Sequence, residues 1–306
     1  NSLDTPQNYR SGVVTHLNGK GHHSKAFPLL ARAGISTIRG PMPLDWAGAE
    51  KTKGVYTWSD EAIDFAAKAK EYGIDLLCMF YGNIIYNEPG MGGVVPPESK
   101  EGLQAVTNYI KELIRVADGA VWGVEVFNEW NNKAMTGDYI YRYDLFADLH
   151  RAIWKGAKES IDPKVVVAGL AEDNWAVFNT DAVENYLKAI NGDQCFDAVA
   201  THPYTPNGEA PELGVSGKLK LAEQELLKKY GQDPDMPRLA TEYGWSDEMV
   251  GGKLGEKLEK QAAYFVRAMG KTQAEDSVDR FYWYAIFDYM EYISDLTDRE
   301  ASFGIM

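Results

Sequence analysis

Eight short apolar runs, rich in β-branched or aromatic residues, recur along the chain at a spacing of roughly 35 residues, with longer amphipathic stretches between them. The runs are "GVVTHL" (12–17), "STIRGP" (36–41), "DLLCMFY" (75–81), "GVEVFN" (123–128), "VVVAGL" (165–170), "AVATHPY" (198–204), "RLATEYG" (238–244) and "RFYWYAIF" (280–287). Each is too short for a buried helix and bounded by turn residues, so each reads as a strand. The stretches between them, among them "SDEAIDFAAKAKEYG" and "SKEGLQAVTNYIKELIRVADG", have helical periodicity, open on Ser or Asp caps and close near Gly.

Strands that are apolar along both faces belong to a parallel sheet covered on both sides. Eight of them in βα order predict a (β/α)8 TIM barrel, with an open doubly wound sheet as the alternative. After the eighth strand only a polar loop and "ASFGIM" remain, so the eighth helix is expected to be lacking or truncated. Without a linker, repeat or low-complexity segment, residues 1–306 are expected to form a single domain.

Composition narrows the partners. A formal net charge of −14 leaves no basic stripe for a nucleic acid, and no apolar run is long enough to span a bilayer. No signal peptide is recognisable, and the chain opens at Asn1 rather than Met, as a processed or trimmed product would. Cys78 and Cys195 each sit in an apolar stretch and read as buried thiols rather than a disulfide.

In a barrel of this kind, functional side chains project from the carboxyl ends of the strands. Those ends carry His16, Arg39, Tyr81, Asn128 with Glu129, His202 with Tyr204, Glu242 with Tyr243, and Trp283. Taken singly, Glu129 and Glu242 are as readily explained as solvated loop carboxylates. Together, on strands four and seven across one barrel mouth, they can converge, and a converging carboxylate pair is what glycosidic bond cleavage uses.

With Arg39, "FNEWN", "THPY", "TEYGWS" and "FYWYAIFDY", the chain from about residue 10 to 305 resembles clan A of the glycoside hydrolases. Within the clan it is most similar to families 39 and 5, including bacterial exopolysaccharide hydrolases. The resemblance implies a retaining mechanism with Glu129 as acid/base and Glu242 as nucleophile. It implies that Asn128 meets the sugar 2-hydroxyl, that His202 and Tyr204 orient the carboxylates, that Arg39 keeps Glu242 ionised, and that Trp283 floors the sugar subsite. If so, the two carboxyl groups lie about 5 to 5.5 Å apart. Trp130 departs from the pattern, standing where a proline usually follows the acid/base.

Trp46, Trp58, Tyr86, Trp130, Trp175, Tyr204, Trp245, Trp283 and Tyr289 fall at strand ends or in the following loops, where flat rings suit sugar faces. Collectively they favour a groove and internal cleavage of a β-linked polysaccharide or oligosaccharide; an exo-acting, xylosidase-like β-glycosidase or a barrel that binds carbohydrate without cleaving it are the alternatives. No cofactor and no metal is expected, since "GKGHHSK" lacks ligand spacing, and His150 reads as structural. The acidic loop "DYMEYISDLTDRE" reads as solvated. The protein is expected to be a monomer, and extracellular or periplasmic because such substrates are.

Overall fold

The structure is a computed structural model that describes residues 10–15, 23–40, 43–87, 95–173, 180–205, 208–214, 216–250 and 254–286; the side chains of 247, 248, 254 and 255 are not described. Its eight strands are β1 (Arg10–Val14), β2 (Thr37–Gly40), β3 (Asp75–Met79), β4 (Val121–Glu125), β5 (Val166–Asp173), β6 (Ala198–His202), β7 (Arg238–Tyr243) and β8 (Arg280–Trp283). Each pairs in parallel with the next, and β8 pairs with β1, closing the barrel. Closure removes the open-sheet alternative. The question of an eighth helix, and the acidic loop, lie outside the described residues.

Among the described residues seven long helices alternate with the strands: α1 (His23–Arg32), α2 (Asp60–Glu71), α3 (Lys100–Ala117), α4 (Tyr143–Lys158), α5 (Thr180–Ile190), α6 (Ser216–Lys229) and α7 (Leu254–Ala274). Ser59 and Ser99 cap α2 and α3 by accepting from Ala62 and Gly102 N–H, as their sequence positions predict. In α3 the buried positions Val106, Ile110, Leu113 and Ala117 recur at helical spacing and face the sheet and α4. Gly156 lets α4 approach closely, because a Cβ there would lie 2.7 Å from that of Ile110.

Strand parity sorts the side chains into two cores. Val14, Leu77, Ala168, Ala198, Ala200, Leu239 and Tyr282 fill the barrel interior, while Ile38, Cys78, Val124, Val167, Val199, Ala240 and Phe281 pack outward against the helices. The bulky Tyr282 fits inside because β1 offers Gly12 opposite; a Cβ there would meet its ring at 2.7 Å. Cys78 and Cys195 are free and buried, as expected.

Candidate active site

Above the apolar interior the inward positions turn polar. Arg39, next to last in β2, is fully buried, and its guanidinium fork is used on several sides. Nε donates to Glu125 Oε2 at 2.5 Å, one terminal nitrogen to Glu242 Oε1 at 2.5 Å, and the other to Asn128 Oδ1 at 2.7 Å and toward Met79 Sδ at 3.1 Å. Burial works against the guanidinium charge, but Glu125 and Glu242 outweigh it and hold the group firmly protonated.

Glu129 follows β4 with a backbone φ of +49°, the left-handed region that a non-glycine residue enters only when its surroundings compel it. Its N–H bonds to the carbonyl of Ala171 at 2.9 Å, inside a β5 irregularity between Leu170 and Glu172 in which Leu170 and Ala171 are also left-handed. This backbone lock turns the carboxylate into the mouth. There Oε1 meets Nδ1 of His202 at 2.9 Å and Oε2 accepts from Asn132 Nδ2 at 3.0 Å.

Glu242 on β7 carries Arg39 on one oxygen and the Tyr204 hydroxyl on the other at 3.1 Å. One oxygen of Glu129, one of Glu242 and a ring nitrogen of His202 all lie within 4.8 Å of each other. Glu129 and Glu242 each keep a sliver of solvent exposure, 8% and 9%, whereas Glu125 and His202 have none. A substrate can therefore reach the first two carboxylates and not the third.

The His202 ring is wholly buried, which opposes its charge, yet Glu242 and the hydrogen bond with Glu129 prevail and raise its pKa above the usual value. Burial also raises that of Tyr81, half-buried at the rim with its ring edge-on to Phe127. The trio of Glu129, His202 and Glu242 has the spacing and donors to ligate a cation. Arg39 seated on Glu242, and the tendency of His202 to hold its own proton, both oppose that use.

The predicted residues divide. Arg39, Asn128, Glu129, His202, Tyr204 and Glu242 form one connected cluster, with Tyr81 beside it. His16, Trp175 and Tyr289 lie outside the described residues. Trp46, Trp130, Trp245 and Trp283 do not line the mouth: each is at most 1% exposed. Trp46 is stacked between Tyr86 and Tyr109, and Trp130 on Tyr186 at 4.4 Å. Trp245 packs on Tyr243 and Tyr264, and Trp283 on Phe265 and Trp245.

For Trp283 the reason is parity. Arg280 and Tyr282 point inward, so Trp283 between Tyr282 and Tyr284 faces α7, and the half-buried Tyr284 packs against the interior cluster instead. Glu125, Asn132 and Asp173 join the site without having been singled out in the sequence. For Glu125 a signal existed: a carboxylate inside an otherwise apolar buried strand needs a cation.

No protein-family model and no curated protein matches the chain. Solved structures do. A family 39 glycoside hydrolase from the gut symbiont Bacteroides cellulosilyticus WH2 aligns with a TM-score of 0.72 at 21% identity, over 97% of this chain and 59% of that one. The chain shares its (β/α)8 fold with that glycoside hydrolase. A fungal β-1,4-galactanase aligns at 0.66 and 14% identity over 96% and 94% of the two chains. An exo-β-1,4-mannosidase from Opitutaceae bacterium strain TAV5 aligns at 0.65 and 12% identity, over 97% and 56%. The chain thus spans about three fifths of the family 39 structure. A family 5 enzyme of subfamily 18 from Streptomyces cattleya also aligns, at 0.66 and 15% identity over 98% and 76% of the two chains. The expected likeness to families 39 and 5 of clan A is met at the level of fold.

Proposed function

We propose that the protein is a retaining glycoside hydrolase that cleaves a β-linked glycan by double displacement. The observation that carries this reading is the placement of two partly accessible carboxylates in contrasting surroundings with oxygens within 4.8 Å. Oxygens this close favour direct attack by one carboxylate over the wider spacing of the two carboxyl groups, about 6.5 to 9.5 Å, that inversion uses.

Glu242, facing a guanidinium and a hydroxyl donor, is the group whose negative charge is supported, and it attacks the anomeric carbon as the glycosidic C–O bond breaks. Glu129, contacted by an imidazole and an amide, passes its proton to the departing oxygen. In the second half-reaction Glu129 takes a proton from water, which attacks the same carbon and releases Glu242. Asn128 spends its carbonyl oxygen on Arg39, which leaves its amide hydrogens for a sugar hydroxyl. Internal cleavage draws no support from the four buried tryptophans, so a short glycan or chain end suits the site as well as a polymer interior.

The test is a panel of aryl β-glycosides and β-linked polysaccharides with wild-type protein and two variants. Glu242→Gln should lose about 10⁴-fold or more in kcat, and Glu129→Gln about 10²- to 10⁴-fold on natural linkages. Wild-type rates in either variant contradict the reading, and binding without product by the wild type would make the barrel a carbohydrate-binding module.

A further inference from the structure

The segment from Glu129 to Asn132 closes on itself. Asn132 N–H bonds to the carbonyl of Glu129 at 2.8 Å, forming a four-residue turn, and the buried Trp130 ring pins that turn from behind against Tyr186. The Asn132 side chain is oriented from both ends. Its Oδ1 accepts from Ala134 N–H at 2.9 Å, capping the short helix Lys133–Thr136, which fixes which way the amide faces.

The two hydrogens on Asn132 Nδ2 are then divided between Glu129 Oε2 at 3.0 Å and Asp173 Oδ2 at 3.1 Å. Asp173 closes β5 and is itself held by a reciprocal pair with Asn131: its N–H donates to Asn131 Oδ1 at 2.7 Å, and Asn131 Nδ2 donates to its carbonyl at 3.0 Å. A chain of directed bonds therefore runs from the end of β5 through Asn132 to one oxygen of Glu129, while His202 holds the other.

We propose that Asn132, braced by Asp173, is a positioning residue for the proton-transfer step: it sets the plane of the Glu129 carboxyl so that its proton points at the departing oxygen. The proposal rests on the glycosidase reading above. It also accounts for the replacement of the usual proline, because the indole of Trp130 secures a turn that returns Asn132 to the carboxyl.

A residue that acts only through the proton donor matters in proportion to the leaving group's need for a proton, whereas a merely structural residue affects all substrates alike. The experiment compares kcat/KM, which reports the first half-reaction, for phenyl and 2,4-dinitrophenyl β-glycosides of a sugar the wild type hydrolyses. Asn132→Ala should lose about ten- to a hundred-fold on the phenyl glycoside, part of what a placed proton donor contributes, and less than about threefold on the dinitrophenyl one. Asn132→Asp keeps the helix cap but replaces the donor with an acceptor, so it should fold and show the same split. Equal losses on both substrates, or no loss on either, in the folded Asn132→Asp protein overturn the proposal. Glu129→Ala serves as reference: if it too lacks the split, the acid/base reading itself fails, whereas a split in Glu129→Ala alone sinks only the role of Asn132.

Discussion

At the base of the barrel two guanidinium groups share one carboxylate, while at the mouth one guanidinium serves two. Arg10 and Arg280 reach Asp75 Oδ2 at 2.9 and 3.0 Å, and Arg280 lies over the Trp122 ring at 3.4 Å and touches Thr37. These charges begin β1, β8 and β3, and water still reaches Arg10 and Asp75, so any surplus charge is solvated. Arg39, by contrast, meets Glu125 and Glu242 in a dry setting, where desolvation offsets much of the attraction and removal of one partner strands the others. The base network ties strands together; the mouth network places reactive groups and contributes little net stability for its size.

The sharpest way to break this contrast is to neutralise one arginine at each end. Arg39→Met should destabilise the fold by about 3–5 kcal/mol, since two carboxylates lose a buried cation, and should leave no measurable hydrolysis. Arg10→Met, at the wetter end, should cost about 1 kcal/mol or less and leave kcat unchanged. Urea unfolding and steady-state kinetics on both variants check this; equal stability losses would erase the distinction between the two ends.

A smaller effect comes from the buried histidines. The pKa of His202 is raised in the folded state, so its contribution to stability is complete below its unfolded value of about 6.5 and is lost as pH rises through the folded one. The Tm gap between wild type and His202→Asn should therefore be larger at pH 6 than at pH 9. His150, packed on Tyr186 and bonded to the Phe146 carbonyl, is pushed by burial down to about 4, so its cost appears as pH falls below about 6.5. The gap for His150→Gln should accordingly shrink toward acid. Gaps that stay constant with pH would show that neither site couples protonation to folding.

The strands were legible because a doubly covered parallel sheet leaves unbroken apolar runs, and the site because such runs ended in His202, Glu242 and the Asn128–Glu129 pair. Trp283 was misread because "RFYWYAIF" is aromatic at odd and even positions alike, so nothing in it marks which ring faces the barrel. Trp130 was misread for a different reason: it directly follows Glu129, yet alternation from the inward Glu125 already turns it outward, where it is buried on Tyr186. Asn132 and Asp173 were hidden because their meeting depends on the β5 irregularity, a backbone event without a residue-type signature.

The central claim, that Glu242 forms a covalent bond to the sugar while Glu129 manages the proton, is tested most directly by trapping. A panel of 2,4-dinitrophenyl 2-deoxy-2-fluoro-β-glycosides slows the second half-reaction, and peptic digestion with mass spectrometry locates the label. The account predicts one sugar per protein molecule, on the peptide containing Glu242, and no label in Glu242→Gln. A label on Glu129, or hydrolysis of the unfluorinated glycoside with an inverted first product, would contradict it.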